Sequence, residues 1–256
     1  MAYALVAVVA LGASALTFFS GFGLGTLLLP AFALYFPVPV AIGLTATVHL
    51  LNNLFKLTLM RPHIDWTVGL RFGLPAIVAA LAGARLMIYL SHGEPLFRYT
   101  VVDHAFAVTP VNLAVGVLML GFVGLELLPE GRRPELNRRH LVTGGVASGF
   151  FGGFSGHQGA LRTMVLLRCG LDKNGFIATG VLIATLVDIA RLTVYSSLML
   201  DAAAANGGLL AEAVGAAFLG AMLGRRMLHA VTLETVHRVV AILLSIVAVA
   251  LMAGWL

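Results

Sequence analysis

Two glycine-rich runs interrupt the apolar sequence: Ser20-Gly21-Phe22-Gly23-Leu24-Gly25 and Gly152-Gly153-Phe154-Ser155-Gly156-His157-Gln158-Gly159. Glycine at this density favours the end of a helix and a change of chain direction. Inside a bilayer, backbone that leaves helical geometry exposes N–H and C=O groups, so such breaks persist only where they line a cavity or meet buried protein. Each run therefore predicts a pair of helices that are broken at membrane depth.

The composition indicates a membrane protein with many spans. Of the 256 residues, 60% are hydrophobic and only 11% are charged, whereas soluble domains carry about 25% charged residues. This polar surface is too small for a water-soluble globular enzyme. The net charge of +5 comes from cations that are scattered between apolar runs, so we expect a lipid bilayer as the partner and no nucleic acid. We also expect no metal and no cofactor.

The apolar runs fall into two sets of five, and related residues recur 134 or 135 positions apart. Thr45 recurs as Thr179, and Lys56-Leu57-Thr58 recurs as Arg191-Leu192-Thr193. This periodicity predicts an internal duplication. We assign residues 1–128 to a first repeat, 129–139 to a cytoplasmic linker and 140–256 to a second repeat.

The distribution of Lys and Arg predicts that the repeats are inverted. Thirteen cations lie near 56–71, 132–139, 162–173 and 225–238, and the opposite connections carry only Arg98. This asymmetry marks the first group as cytoplasmic and requires an odd number of crossings per repeat. We therefore predict an all-α polytopic membrane protein of about 8–10 membrane segments. Each repeat has three full transmembrane helices plus a broken-helix hairpin, which is either re-entrant or fully spanning.

The helices that open after the two breaks are candidates for an anion site. The N-terminus of a helix carries unpaired N–H groups and about half a positive charge, and glycine allows a ligand to approach the backbone closely. The alternative is that these glycines serve helix packing or simple turns. The candidate backbone groups lie at Gly23, Leu24, Gly25, Thr26 and Gly159.

Polar side chains within the apolar runs complete the candidate site. Arg162 offers a planar fork for an oxyanion, with snorkelling to the interface as the alternative. His157 and Gln158 offer hydrogen-bond donors at the second break, or satisfy their own backbone. His49 and Asn53 share one face of a helix. They either line a pathway or form hydrogen bonds to a neighbouring helix.

Three further charged side chains are not predicted to bind the anion directly. Lys56 shares the His49 face but is predicted to be an interface residue. Asp188 and Arg191 are i,i+3 neighbours that we expect to pair. Because ionisable groups at membrane depth are functional candidates, His49 and Asp188 are also candidates for proton coupling.

The first motif, Ser20-Gly21-Phe22-Gly23-Leu24-Gly25-Thr26-Leu27-Leu28-Leu29-Pro30 with Ala41-Ile42-Gly43-Leu44-Thr45-Ala46-Thr47, resembles the sulfite exporter TauE/SafE family, also called the toluene-sulfonate uptake permease family. Ser155–Gly159 with Ala178-Thr179-Gly180 is more loosely similar. The resemblance implies a carrier in the bacterial inner membrane for sulfite, a sulfonate such as sulfoacetate, or thiosulfate. The chain departs from the family pattern at His157-Gln158, at Met164 in the position of Pro30, and in a long segment 91–108.

Two other functions remain open at this point. A carrier for a cation or another small solute is one, although intramembrane carboxylates are few. The other is a rhomboid-like serine protease, because Gly153-Phe154-Ser155-Gly156 fits a G-x-S-G pattern, but no later span supplies an internal histidine. We therefore predict a transporter of a small anion and not an enzyme. The sequence leaves import or export, the coupling ion and a homo-oligomer open.

Overall fold

The computed structural model describes residues 2–16, 23–127, 137–226 and 233–256. Within these ranges the chain forms ten α-helices and one β-hairpin. The elements are α1 (Ala2–Leu16), α2 (Leu24–Ala33), α3 (Val38–Met60), α4 (Trp66–Ser91), β1 (Phe97–Val101), β2 (His104–Val108), α5 (Pro110–Leu127), α6 (Leu141–Ser155), α7 (Gly159–Leu166), α8 (Lys173–Ala205), α9 (Gly207–Arg226) and α10 (Leu233–Met252).

Four of these helical segments are long and apolar enough to cross a membrane: Val38–His63, Trp66–Ser91, Lys173–Ser196 and Gly207–Arg226. The apolar stretches described in α5 and α10 are shorter. The expectation of a helical membrane protein is therefore confirmed. Of the predicted linker 129–139, the part 129–136 lies outside the described residues, as do residues 17–22 of the first break.

Local sequence sets the helix boundaries near the polar ends. The carboxylate of Asp65 accepts from Val68 N at 3.0 Å and caps α4. Asp172 caps α8 in the same way, with Gly175 N at 2.9 Å. An acidic N-cap side chain satisfies one of the backbone donors that open a helix and interacts favourably with its dipole.

The long helices pair across the two predicted repeats. The main pairings are α4 with α6, α1 with α9, α3 with α8, α5 with α10 and α4 with α8. Each pairing joins a helix that ends before residue 128 to one that begins after residue 140. The core therefore lies between the two parts of the chain, and neither part packs chiefly on itself.

The α4–α6 pairing depends on glycines at every fourth position of α6. A Cβ at Gly145, Gly149 or Gly153 would collide with the carbonyl oxygens of Phe72, Ala76 and Ala80 in turn. The two backbones are thus in direct contact along two turns, which only glycine on α6 permits. Of these three, Gly153 lies in the second glycine-rich run, so packing accounts for that glycine.

The second broken helix folds back on itself. Leu141 at the start of α6 shares a hydrophobic cluster with Val165 and Leu166 at the end of α7. Just outside the hairpin, Arg138 Nε donates to Cys169 O at 2.9 Å. The α6–α7 hairpin therefore returns to the end from which it started, as a re-entrant hairpin does.

The long segment 91–108 contains a structure that the sequence analysis did not predict. β1 pairs antiparallel with β2, with Tyr99 opposite Phe106. The hairpin is fastened to the end of α10, because Tyr99 Oη donates to Ala253 O at 2.5 Å and Trp255 Nε1 donates to Tyr99 Oη at 3.1 Å. Trp255 is thus an anchor for the β-hairpin, which forms the one sheet within the described residues.

Replacement of Gly149 by alanine tests the close contact of α4 and α6. We expect Gly149→Ala to lower the thermal midpoint in detergent by several degrees, because overpacking costs about 1–3 kcal/mol. Gly121→Ala is the matched control, since a Cβ at Gly121 meets nothing within 4 Å. Unfolding is read from the labelling of Cys169, the single cysteine, which is buried. Equal midpoints for the two variants would contradict the packing.

Candidate functional site

The carboxylate of Asp188, which is fully buried on α8, is the centre of a polar network. One oxygen, Oδ2, lies 2.6 Å from His49 Nδ1 and accepts from Asn53 Nδ2 at 3.3 Å. Because an ionised carboxylate only accepts, His49 carries its proton on Nδ1. Residues 139 and 135 positions apart are thereby joined.

The other oxygen of Asp188, Oδ1, faces α8 itself and the second break. Arg191 donates to it from Nη2 at 2.7 Å and from Nε at 3.0 Å. Gln158 Nε2 donates to the same atom at 3.3 Å. The expected Asp188–Arg191 pair is confirmed, and it neutralises a carboxylate that would otherwise be very costly to bury.

Arg191 also fixes the end of α6. Its Nη1 donates to Gly152 O at 3.4 Å and occupies space beside Gly156, where a Cβ would lie 2.9 Å from that nitrogen. Gly156 has a φ of +84°, which favours glycine. Gly156 is therefore required both by the backbone conformation and by the guanidinium.

The N-terminus of α2 and the tip of the α6–α7 hairpin meet beside the middle of α3. A Cβ at Gly25, in the first turn of α2, would lie 3.7 Å from His49 Cδ2, 3.9 Å from Gly156 O and 3.9 Å from Thr45 Cγ2. Gly23, the N-cap residue of α2, has a φ of +117°. Leu24, Gly25 and Thr26 thus present the N-terminus of α2 to the tip of the α6–α7 hairpin.

His157 and Gln158 form that tip, and both are buried. His157 Nδ1 lies 3.0 Å from Ser155 Oγ, and its ring stacks on Phe122 with centroids 5.7 Å apart. The backbone oxygen of Gln158 accepts from Ser148 Oγ at 2.8 Å. Ser148 was not among the predicted residues, because a lone serine among the glycines of α6 carries no distinct pattern.

Three buried side-chain atoms in this region have no hydrogen-bond partner among the described residues: Thr45 Oγ1, His157 Nε2 and Gln158 Oε1. Buried polar atoms in native proteins nearly always have a partner, which is a protein group, a water or a ligand. Their position beside the α2 and α7 N-termini is where the sequence predicted a ligand. The structure therefore brings together most of the predicted residues around one point.

Arg162 lies beside α8 but is not hydrogen-bonded to Asp188 in the contacts described above. Its Nε is 3.7 Å from the Cβ position of Gly180, and Gly180 precedes Asp188 by eight residues, about 12 Å along α8. The Arg162 side chain is only 3% exposed, so it does not snorkel to the surface. Its charge attracts that of Asp188 and repels that of Lys56, which places it within electrostatic reach of the site.

Lys56 differs from its prediction as an interface residue. It is only 5% exposed. When the Asn52 amide is oriented so that both of its atoms are satisfied, its oxygen accepts from Lys56 Nζ at 3.2 Å and its nitrogen donates to Ala217 O. The interface prediction is wrong because α9 packs over this face of α3. Buried cations in the described residues thus number three, with Arg162 and Arg191, against one buried carboxylate.

A family model for the sulfite exporter TauE/SafE proteins matches residues 6–251. The chain belongs to this family. Neither a curated protein nor a solved structure matches it. As a TauE/SafE protein, the chain is a multi-pass membrane protein of a family of transporters and exporters of sulfur compounds. The resemblance that the two motifs predicted is confirmed over nearly the whole chain.

One contact in this TauE/SafE chain favours the serine-protease alternative, and the other observations oppose it. Ser155 Oγ is within hydrogen-bond distance of His157 Nδ1, although we did not expect an internal histidine to serve it. The hydroxyl, however, donates back to Phe151 O at 3.2 Å, and both residues are buried. No carboxylate among the described residues hydrogen-bonds to His157, whereas nucleophile activation normally uses a base that a third group orients.

Proposed function

We propose that the protein is a secondary transporter that carries a small sulfur-containing anion across the bacterial inner membrane. Sulfite, a sulfonate such as sulfoacetate, or thiosulfate is the substrate class that the family implies. The observation that carries the proposal is the meeting of the two helix breaks beside Gly25, His49 and Gly156. A broken-helix pair at the centre of an inverted repeat is how many secondary transporters hold substrate.

The ligand site is formed by backbone and side chains together. The N-termini of α2, at Gly23–Thr26, and of α7, at Gly159, supply N–H groups and partial positive charge for the anion. Arg162 supplies a full positive charge, and Thr45 a hydroxyl. His49, Asn53, His157 and Gln158 surround the point at which the breaks meet.

Alternating access of two inverted halves is supported by the helix pairings. If the five helices of the first half correspond in order to those of the second, α4–α6 becomes α9–α1 when the halves are exchanged. The pairings α3–α8 and α5–α10 are unchanged by the same exchange. This is the pattern expected of a two-fold relation between the repeats, with the site at their interface.

Proton coupling at His49 and Asp188 belongs to the same proposal. The His49–Asp188 contact is the shortest in the network at 2.6 Å and joins α3 of one half to α8 of the other. Protonation at this pair would change the attraction between the halves. Arg191, Gln158 and Asn53 share the carboxylate and set its charge environment.

Arg162 is tested by substrate uptake into proteoliposomes. With labelled sulfite, sulfoacetate and thiosulfate as the panel, Arg162→Ala is expected to lower uptake of the transported anion by about tenfold or more. The reason is that charged hydrogen bonds contribute about 1.5–3 kcal/mol. Arg162→Lys, which keeps the charge, is the matched control and retains part of the activity. Normal uptake by Arg162→Ala would remove this residue from the mechanism.

The coupling role of His49 is tested by separating exchange from accumulation. Gln at position 49 can donate to Asp188 but cannot take up a proton. We expect His49→Gln to retain substrate exchange across the membrane and to lose the accumulation driven by a pH gradient. His63→Gln is the control, because His63 is exposed in the short turn that follows α3. Unchanged gradient-driven accumulation in His49→Gln would show that this pair does not carry the proton.

The inverted topology is tested with single cysteines in a Cys169→Ala background. Arg139→Cys and Asp201→Cys are both at exposed positions. We expect a membrane-impermeant maleimide to label position 201 in intact spheroplasts and position 139 only after permeabilisation. The cationic residues around position 139 mark the cytoplasmic face. Labelling of both positions from the same side would contradict the inverted arrangement.

A further inference from the structure

We propose that the transported anion carries a hydrogen-bond donor of its own, either a hydroxyl or ammonium group or an acidic proton on the oxyanion. The inference deepens the proposed function and rests on it. It concerns the face of the site formed by Gln158 and His157, two residues that the sequence analysis treated as donors to the anion. In the structure the donors of both residues are used within the protein, and the atom that each has left for a ligand is an acceptor.

The orientation of the Gln158 amide follows from its neighbour Asp188. That carboxylate is ion-paired with Arg191 and therefore accepts only. Gln158 must present its NH₂ group to Asp188 Oδ1, at 3.3 Å. The carbonyl oxygen Oε1 is consequently directed elsewhere, and no donor among the described residues lies within hydrogen-bond distance of it.

Gln158 cannot easily move to bring its Oε1 atom to a donor. Ser148 Oγ donates to its backbone oxygen at 2.8 Å. A Cβ at Gly152 would lie 2.8 Å from Gln158 Cβ, so the side chain already packs against the α6 backbone. The residue is 1% exposed, and a buried acceptor with no donor is unfavourable. The Gln158 side chain is therefore held in place, and its Oε1 atom, beside the N-terminus of α7, has no donor among the described residues.

His157 provides a second acceptor, as the donor and acceptor roles of its hydrogen bond to Ser155 show. The Ser155 hydroxyl donates its one hydrogen to Phe151 O at 3.2 Å. Its oxygen is left to accept from His157 Nδ1 at 3.0 Å, which assigns the proton of the neutral imidazole to Nδ1. Nε2 then bears a lone pair, is buried, and has no partner among the described residues.

These acceptors select among sulfur-containing anions. Donors for the negative charge come from the N-terminus of α2 and from the Thr45 hydroxyl, whose oxygen also has no partner among the described residues. A fully deprotonated oxyanion offers acceptors only and leaves Gln158 Oε1 unsatisfied. A hydroxy- or aminosulfonate, or hydrogensulfite in place of sulfite, satisfies both faces at once. A site that is built to bond a donor rejects the analogue that lacks it.

The test uses matched substrates on the intact protein in proteoliposomes. Uptake of 2-hydroxyethanesulfonate is compared with uptake of ethanesulfonate, which lacks only the hydroxyl. In a second arm, sulfite uptake is followed from acid to alkaline pH and divided by ethanesulfonate uptake, whose charge is constant over that range. A preference of about tenfold or more in the first arm identifies a carbon-bound donor. A fall of the ratio as hydrogensulfite loses its proton identifies the acidic proton.

Gln158→Met then assigns the preference to the amide, because methionine conserves volume and offers no strong acceptor. We expect the preference to fall several-fold but not to vanish, because His157 Nε2 remains as an acceptor. Thr185→Val, a buried change three residues from Asp188, is expected to keep the full preference. Equal uptake of the matched pair together with a pH-independent ratio overturns the inference and leaves the proposed function intact. A preference unchanged in Gln158→Met also overturns it. If no sulfur anion is moved at all, the proposed function itself fails.

Discussion

The buried carboxylate of Asp188 is the constraint on which the site depends. A charge removed from water is stable only when it is paired and fully hydrogen-bonded. Asp188 meets this requirement with groups from three separate elements: His49 and Asn53 on α3, Gln158 at the hairpin tip, and Arg191 on its own helix. The need to satisfy one carboxylate thus determines where the tip of the α6–α7 hairpin lies relative to α3.

Under the proposed function, a carboxylate at the centre of the site would repel an anionic substrate if it stood alone. Arg191 removes that repulsion and at the same time bonds to Gly152 O near the end of α6. The pair therefore has a structural role, because the loss of one partner of a buried pair costs about 3–5 kcal/mol. Lys56 and Arg162 then give the described interior its positive balance.

Local features were predictable from the sequence, and distant contacts were not. Leu24 and Gly159 begin short helices as the glycine runs indicate, and the i,i+3 spacing is enough to predict the Asp188–Arg191 pair. The contact of His49 with Asp188 spans 139 residues and depends on how α3 packs on α8, which no local pattern encodes. The burial of Lys56 was missed for the same reason. The β-hairpin at 97–108 was missed because its strands are short and weakly alternating.

The proposed duplication is least exact at the charged residues of α3 and α8. The 135-residue offset relates Asn53 to Asp188 and Lys56 to Arg191, and Asn53 Nδ2 donates to Asp188 at 3.3 Å. On α8, Arg191 has an acid, Asp188, one turn before it, whereas α3 carries no Asp or Glu at all. A symmetric pair of carboxylates at this short distance would repel each other, and one of them would hold a proton. The neutral amide of Asn53 avoids that conflict and leaves Lys56 without an acid on α3, a charge balance that is consistent with the proposed transport of an anion.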